Sequence, residues 1–175
     1  MEVLDSSAGQ EVLKSIPLIR GMMWEKIETF KNQIEQLEGC LTHKPGEIQS
    51  DKLKDTFPIK QHIEGGMYTR EIFMPKGSLV ISMIHKQNHP SFLLKGEVSY
   101  LTDNGEVERI AAPHKIFTKQ GTQRVLYIHE DTEWCCVYKT DATNYEEAEA
   151  DVYAETYKEL PKKLIKKNKL LWLDY

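Results

Sequence analysis

Between Gln61 and Thr140 the chain breaks into short runs of β-branched and aromatic residues separated by turn residues. The runs are GGMYTREIFMP, SLVISMIH, SFLLKG, EVSYLT, VERIAA, HKIFT, RVLYIH and EWCCVYKT, and no helical spacing of apolar residues interrupts them. Strands expose unpaired backbone groups along their edges, so a series of them with no helix between must pair with one another. The pattern predicts an antiparallel sandwich or small barrel. Asp103-Asn104-Gly105 marks one hairpin, because Asn-Gly supplies the positive φ that tight hairpin turns need.

The flanks have a different texture. Met23, Ile27, Phe30, Ile34, Leu37 and Leu41 recur at steps of four and three, which predicts an amphipathic helix from Met22 to Leu41, fraying at Gly39 and stopped by His43-Lys44-Pro45-Gly46. Its stripe has two readings: a face docked on the rest of the chain, or a short coiled-coil seam between subunits. Residues 1–20 predict a loose arm or short helix, with Pro17 interrupting it, and 42–60 a polar linker. Beyond Asp141, Thr143-Asn144-Tyr145-Glu146 has the form of a capping box, opening an acidic helix to about Leu160 with Pro161 ending it. A basic block follows (Lys162, Lys163, Lys166, Lys167, Lys169), then an apolar LLWLDY suited to packing on a neighbouring surface. The organisation predicted is therefore 1–60 arm, helix and linker; 61–140 β-domain; 141–175 acidic helix and basic, apolar tail.

A net charge of −4 over 175 residues gives no field pointing to nucleic acid, and no apolar run is long enough to span a membrane. The first twenty residues lack the basic start and apolar middle of a signal peptide. Three cysteines make an odd count. Cys135 and Cys136 are neighbours in a strand and point to opposite faces, so a structural disulfide is not expected and a cytoplasmic setting fits.

Chemistry concentrates between Gly77 and Gly96. If His85 faces inward on its strand, parity puts Leu79, Ile81 and Met83 on the same side, and His89 faces His85 from the next strand across the turn at Lys86. Two facing imidazoles are half of a metal site. His129, beside Glu130 and Asp131, is the candidate third ligand, or else a rim histidine paired with one of those carboxylates. His43, His62 and His114 have no partner spacing and read as surface. No nucleophile–histidine–carboxylate order and no phosphate-binding glycine motif is present.

The stretch GSLVISMIHKQNHPSFLLKG resembles the first cupin motif, G-x5-H-x-H-x3-E-x6-G, with Met83 at the first His, His85 at the second and His89 at the Glu. Residues 67–140 resemble the small single-domain cupins encoded by tailed bacteriophages. The resemblance implies a mainly β fold: a double-stranded β-helix barrel, with the N- and C-terminal helices packed outside. Aligning the second motif on Gly121 puts Arg124 at its His. A guanidinium cannot ligate a cation and repels one beside it. An inward Arg124 then needs either a protein carboxylate or a bound anion, and His85 and His89 are either a satisfied polar pair or, with Arg124 and Met83, the lining of a pocket for a small anion, with no cofactor required. The function expected is an accessory or interaction protein of a bacteriophage, binding a small anionic ligand or a protein partner, in the host cytoplasm or a virion. The alternative is a metal-dependent isomerase- or oxygenase-like cupin using iron, manganese, zinc or nickel through His85 and His89. A homodimer is expected from the apolar surface to spare, namely the Met23–Leu41 stripe and the tail Leu170-Leu171-Trp172-Leu173.

Overall fold

The computed structural model describes residues 1–4, 23–102 and 107–165. The chain begins with β1 (Glu2–Leu4), then α1 (Met23–Ile34), β2 (Leu41–Thr42) and α2 (Asp51–Thr56). The strands β3 (Ile59–Glu64), β4 (Met67–Met74), β5 (Leu79–Ile81), β6 (Ile84–His85), β7 (His89–Lys95) and β8 (Glu97–Leu101) follow. After them come β9 (Val107–Ala111), β10 (His114–Thr118), β11 (Val125–Ile128) and β12 (Thr132–Lys139). The last elements are α3 (Tyr145–Val152), β13 (Tyr153–Ala154) and a 3-10 turn at Tyr157–Glu159.

These strands form a six-stranded antiparallel sheet ordered β2-β1-β5-β11-β8-β9, a five-stranded one ordered β10-β7-β12-β4-β3, and the small pair β13-β6. Alternation explains how the larger two face each other. Tyr68, Ile72 and Met74 on β4 and Trp134, Cys136 and Tyr138 on β12 meet Val80, Val98, Leu126 and Ile128 from the other sheet in one core. No ladder among the described residues joins the six-stranded to the five-stranded sheet. The antiparallel sheets packed face to face and flanked by helices agree with the arrangement expected from the sequence; among the described residues they do not join into one continuous barrel. β8 and β9 pair in register from Glu97↔Ala111 to Leu101↔Val107. That is the hairpin Asn104-Gly105 signals, although the turn itself lies outside the described residues.

Gly96, at φ 87°, lets the chain pass from β7 in one sheet to β8 in the other. A Cβ there would sit 2.6 Å from the Asp131 carbonyl oxygen, so only glycine fits.

The apolar stripe of α1 docks within the chain. Ile27, Phe30 and Ile34 bury against Leu79, Ile81, Val125 and Tyr127, the outer face of the six-stranded sheet. Each such burial is worth about 1.5–3 kcal/mol. The coiled-coil reading is thereby displaced, and the dimer expectation loses this patch. The helix is also shorter than its periodicity predicts: beyond Ile34 the chain makes turns up to Gly39, at φ 85°, and Leu37 is exposed.

The C-terminal helix differs more. Its cap is Asn144, whose side-chain oxygen accepts from the Glu147 backbone N–H at 2.9 Å, so the predicted Thr143 box is off by one residue. The helix stops at Val152 rather than near Leu160, because Tyr153 and Ala154 turn extended to pair with His85 and Ile84 of β6. A capping box does form, at Thr156 and Glu159. The tail at 170–173 lies outside the described residues. No described helix is long and apolar enough to cross a membrane.

Candidate functional site

A cavity of about 60 Å³ lies between the two large sheets. Its wall is largely apolar (Ile72, Met74, Val80, Leu126, Trp134), and its polar lining is Arg70, Arg124, Ser82, His85, Cys136 and Tyr153. No carboxylate is among the described residues that line it.

Arg124 enters from just before β11, where Leu126 and Ile128 share its inward face. Its side chain is 8% exposed; Nη1 donates to the Thr118 hydroxyl at 3.1 Å, and the guanidinium lies 5.5 Å from the centre of the Tyr100 ring. Its backbone N–H donates to Ser82 Oγ at 2.9 Å, which fixes β11 against the break after β5.

Arg70 was missed from the sequence. On β4 every second residue faces inward, so Arg70 stands between Tyr68 and Ile72 in the core and is 7% exposed. Nε donates to Glu149 Oε1 at 3.0 Å, the guanidinium lies 5.5 Å from the Tyr153 ring centre, and Nη2 is buried with no partner. Burial opposes the charge on Arg70, but Tyr153 and Glu149 outweigh it and raise the pKa, so the guanidinium stays charged. Glu149, from α3, is 3% exposed. Its second oxygen lies 3.1 Å from His43 Nε2 and accepts from the Gly46 N–H at 3.4 Å. Burial raises the Glu149 carboxyl, but the His43 hydrogen bond and Arg70 outweigh it and leave it below the usual range. His43, expected on the surface, is therefore a buried partner. The sequence offers no local sign of this, since the two residues are 106 positions apart.

His85 and His89 are brought together, with ring centroids 4.6 Å apart. Met83 and His85 do point inward, but the parity that predicts this fails at Leu79 and Ile81. Those two face α1, because the strand breaks at Ser82-Met83 and resets its alternation between β5 and β6. Tyr138 donates its hydroxyl to Tyr153 at 2.8 Å, so at 2.9 Å it accepts Nδ1–H from His85. His85 thus presents an unprotonated Nε2. Burial holds its pKa well below the usual range, and His89, Arg124 and Arg70 push it further the same way. His89 donates Nδ1–H to the Gln87 carbonyl, leaving a buried Nε2 without a partner; burial, helped by Arg124, lowers its pKa to about 4. His89 touches His85 but does not itself line the cavity.

His129 does not join them. It is half-buried, with Nε2 2.8 Å from Ser99 Oγ and its ring edge-on to Tyr127, so neither Glu130 nor Asp131 is the partner predicted for it. Among the described residues no three His, Cys, Asp or Glu side chains converge as a metal site requires. Two guanidiniums also line the cavity beside His85. This donor set does not fit the resident metal of a cupin centre.

No family model matches the chain, and no curated protein matches it. Among solved structures it is similar to the Cupin_2 domain of an XRE family transcriptional regulator from Enterobacter cloacae, at 12% identity and a TM-score of 0.42, over 50% of this chain and 99% of that one. It is similar also to an acetylacetone dioxygenase from Acinetobacter johnsonii (16% identity, TM-score 0.41, 56% of this chain and 75% of that one). A conserved protein of unknown function from Streptococcus pyogenes gives 16% identity and a TM-score of 0.41, over 51% and 79%. Likenesses this distant carry no argument about ligand or reaction.

Proposed function

We propose that this chain is a cupin-like accessory protein that binds a small anion in the cavity between its sheets, held by Arg124 and Arg70. The observation that carries the reading is Arg70: its guanidinium lines the cavity, and its Nη2 is buried with no partner although Glu149 already satisfies Nε. A buried donor left unmade costs about 1–3 kcal/mol, which an anion's oxygen would recover. Arg124 on the same wall adds a second charge, and Tyr153, whose oxygen accepts from Tyr138, adds a hydroxyl proton. A space of about 60 Å³ is room for roughly four or five water-sized spheres, the scale of an acetate or phosphate group. The Gly77-to-Gly96 spacing and the paired antiparallel sheets support the cupin-like assignment; the donor set favours binding over metal chemistry.

The test is calorimetric titration with phosphate, sulfate, acetate and oxalate. At least one should bind, and Arg124→Gln should weaken it by about 1.5–3 kcal/mol, the range for charged hydrogen bonds. An affinity that neither Arg124→Gln nor Arg70→Gln changes would end the proposal. With α1 docked intramolecularly, a homodimer would have to use other surface. Phe117 on β10, 67% exposed, and Leu94 on β7 are among the exposed apolar residues that could support one.

A further inference from the structure

The arginine-lined cavity does not stand alone. A cleft of about 580 Å³ lies outside it, bounded by α1, the segment after β2 and the chain that follows β13, and Met1 and Met83 belong to the walls of both spaces. The two differ in character. The inner one is small, apolar and cationic at its polar end, whereas the outer one falls within the roughly 300–1,000 Å³ of small-molecule sites. The outer wall offers amides and hydroxyls: Asn32, Gln36, Thr42, Gln123 and Tyr157. Its charges largely cancel, with Lys44 3.1 Å from Glu155 and Lys31 3.9 Å from Glu35. Such a wall selects by hydrogen bonding rather than by net charge. The partition is soft, because a methionine has an unbranched side chain with three rotatable bonds and yields easily.

Resting on the anion reading above, we infer that the ligand is a two-part molecule: an anionic end seated between Arg70 and Arg124, and an uncharged, hydroxyl- or amide-bearing body lying in the outer cleft past a displaced Met83. The inner cavity alone is too small to discriminate among anions that share a head group. The cleft supplies that selectivity through two or more hydrogen bonds to the body.

The experiment compares gluconate, acetate and sorbitol by calorimetry on the full chain. Acetate carries only the head, sorbitol only the body, and gluconate both. Gluconate is expected to bind about tenfold or more tighter than acetate, from two hydrogen bonds of ordinary net strength, with sorbitol weaker than either. Asn32→Trp, an exposed α1 position on the cleft wall, should erase gluconate's advantage while acetate affinity stays unchanged; Gln36→Trp serves as the second variant should the first disturb α1. Equal affinities for gluconate and acetate, or an advantage that survives both tryptophans, would overturn the two-part ligand and leave the anion site standing. Sorbitol binding as tightly as gluconate would overturn it as well. Failure of both anions to bind would remove the anion site and this inference together.

Discussion

Glu149→Gln is the perturbation whose outcome follows most directly from the buried network. The carboxylate is nearly inaccessible and holds Arg70 at 3.0 Å, His43 at 3.1 Å and the Gly46 N–H at 3.4 Å. Glutamine keeps the volume but removes the charge, leaving the Arg70 guanidinium buried without its counter-ion. Breaking a buried pair from one side costs about 3–5 kcal/mol, a large part of the roughly 5–15 kcal/mol that keeps a domain folded. The pairing itself is worth far less, since two desolvated charges recover little more than their hydration. The double variant Glu149→Gln, Arg70→Met should therefore cost less than Glu149→Gln alone. Urea denaturation with a constant m-value is the assay. Because the lone guanidinium faces the cavity, phosphate should also stabilise Glu149→Gln more than it stabilises the wild type. A loss under about 1 kcal/mol in the single variant, or a double variant worse than the single, would show that Glu149 is not the counter-ion that keeps Arg70 in the core.

Three further outcomes are expected. Gly96→Ala should lower stability by about 2 kcal/mol or more in urea, since it adds left-handed strain and a clash with the Asp131 carbonyl; a change within 0.5 kcal/mol would contradict the tight crossing. Stability should fall as pH drops from about 6.5 toward 4: His85 and His89 are held below their unfolded pKa, so the unfolded chain binds more protons in that window. His89→Phe should shallow that acid limb in pH-dependent unfolding, and an unchanged limb would show that His89 is not held neutral. Ile27→Ala should cost about 2–5 kcal/mol without changing the mass seen by light scattering, because Ile27 packs on its own sheet; a change in oligomeric state would return the stripe to an intersubunit role.

Much of this architecture is legible in the residues. The β4 run shows why: Tyr68, Arg70, Ile72 and Met74 alternate with Thr69, Glu71 and Phe73, and the structure buries the first set. The same alternation marks Arg70 as an inward charge, a signal overlooked because a basic residue in a strand is easily assigned to solvent. The motif alignment also singles out Arg124, which the structure buries against the cavity. Two features were illegible for physical reasons. The reset of alternation at Ser82-Met83 depends on β6 pairing with β13, a contact made by residues about 70 positions downstream, which also cuts the C-terminal helix short. The burial of His43 depends on a carboxylate delivered by α3, and local pattern carries no record of such a partner.

An anion held between the two guanidiniums of the cavity would be visible by anomalous scattering from crystals grown with selenate. A selenium peak is expected inside the cavity, within hydrogen-bonding reach of both Arg70 Nη2 and the Arg124 guanidinium, and absent in Arg70→Gln crystals grown in the same solution. A cavity closed by repacked apolar side chains, or selenate found only on the protein's outer surface, would contradict it.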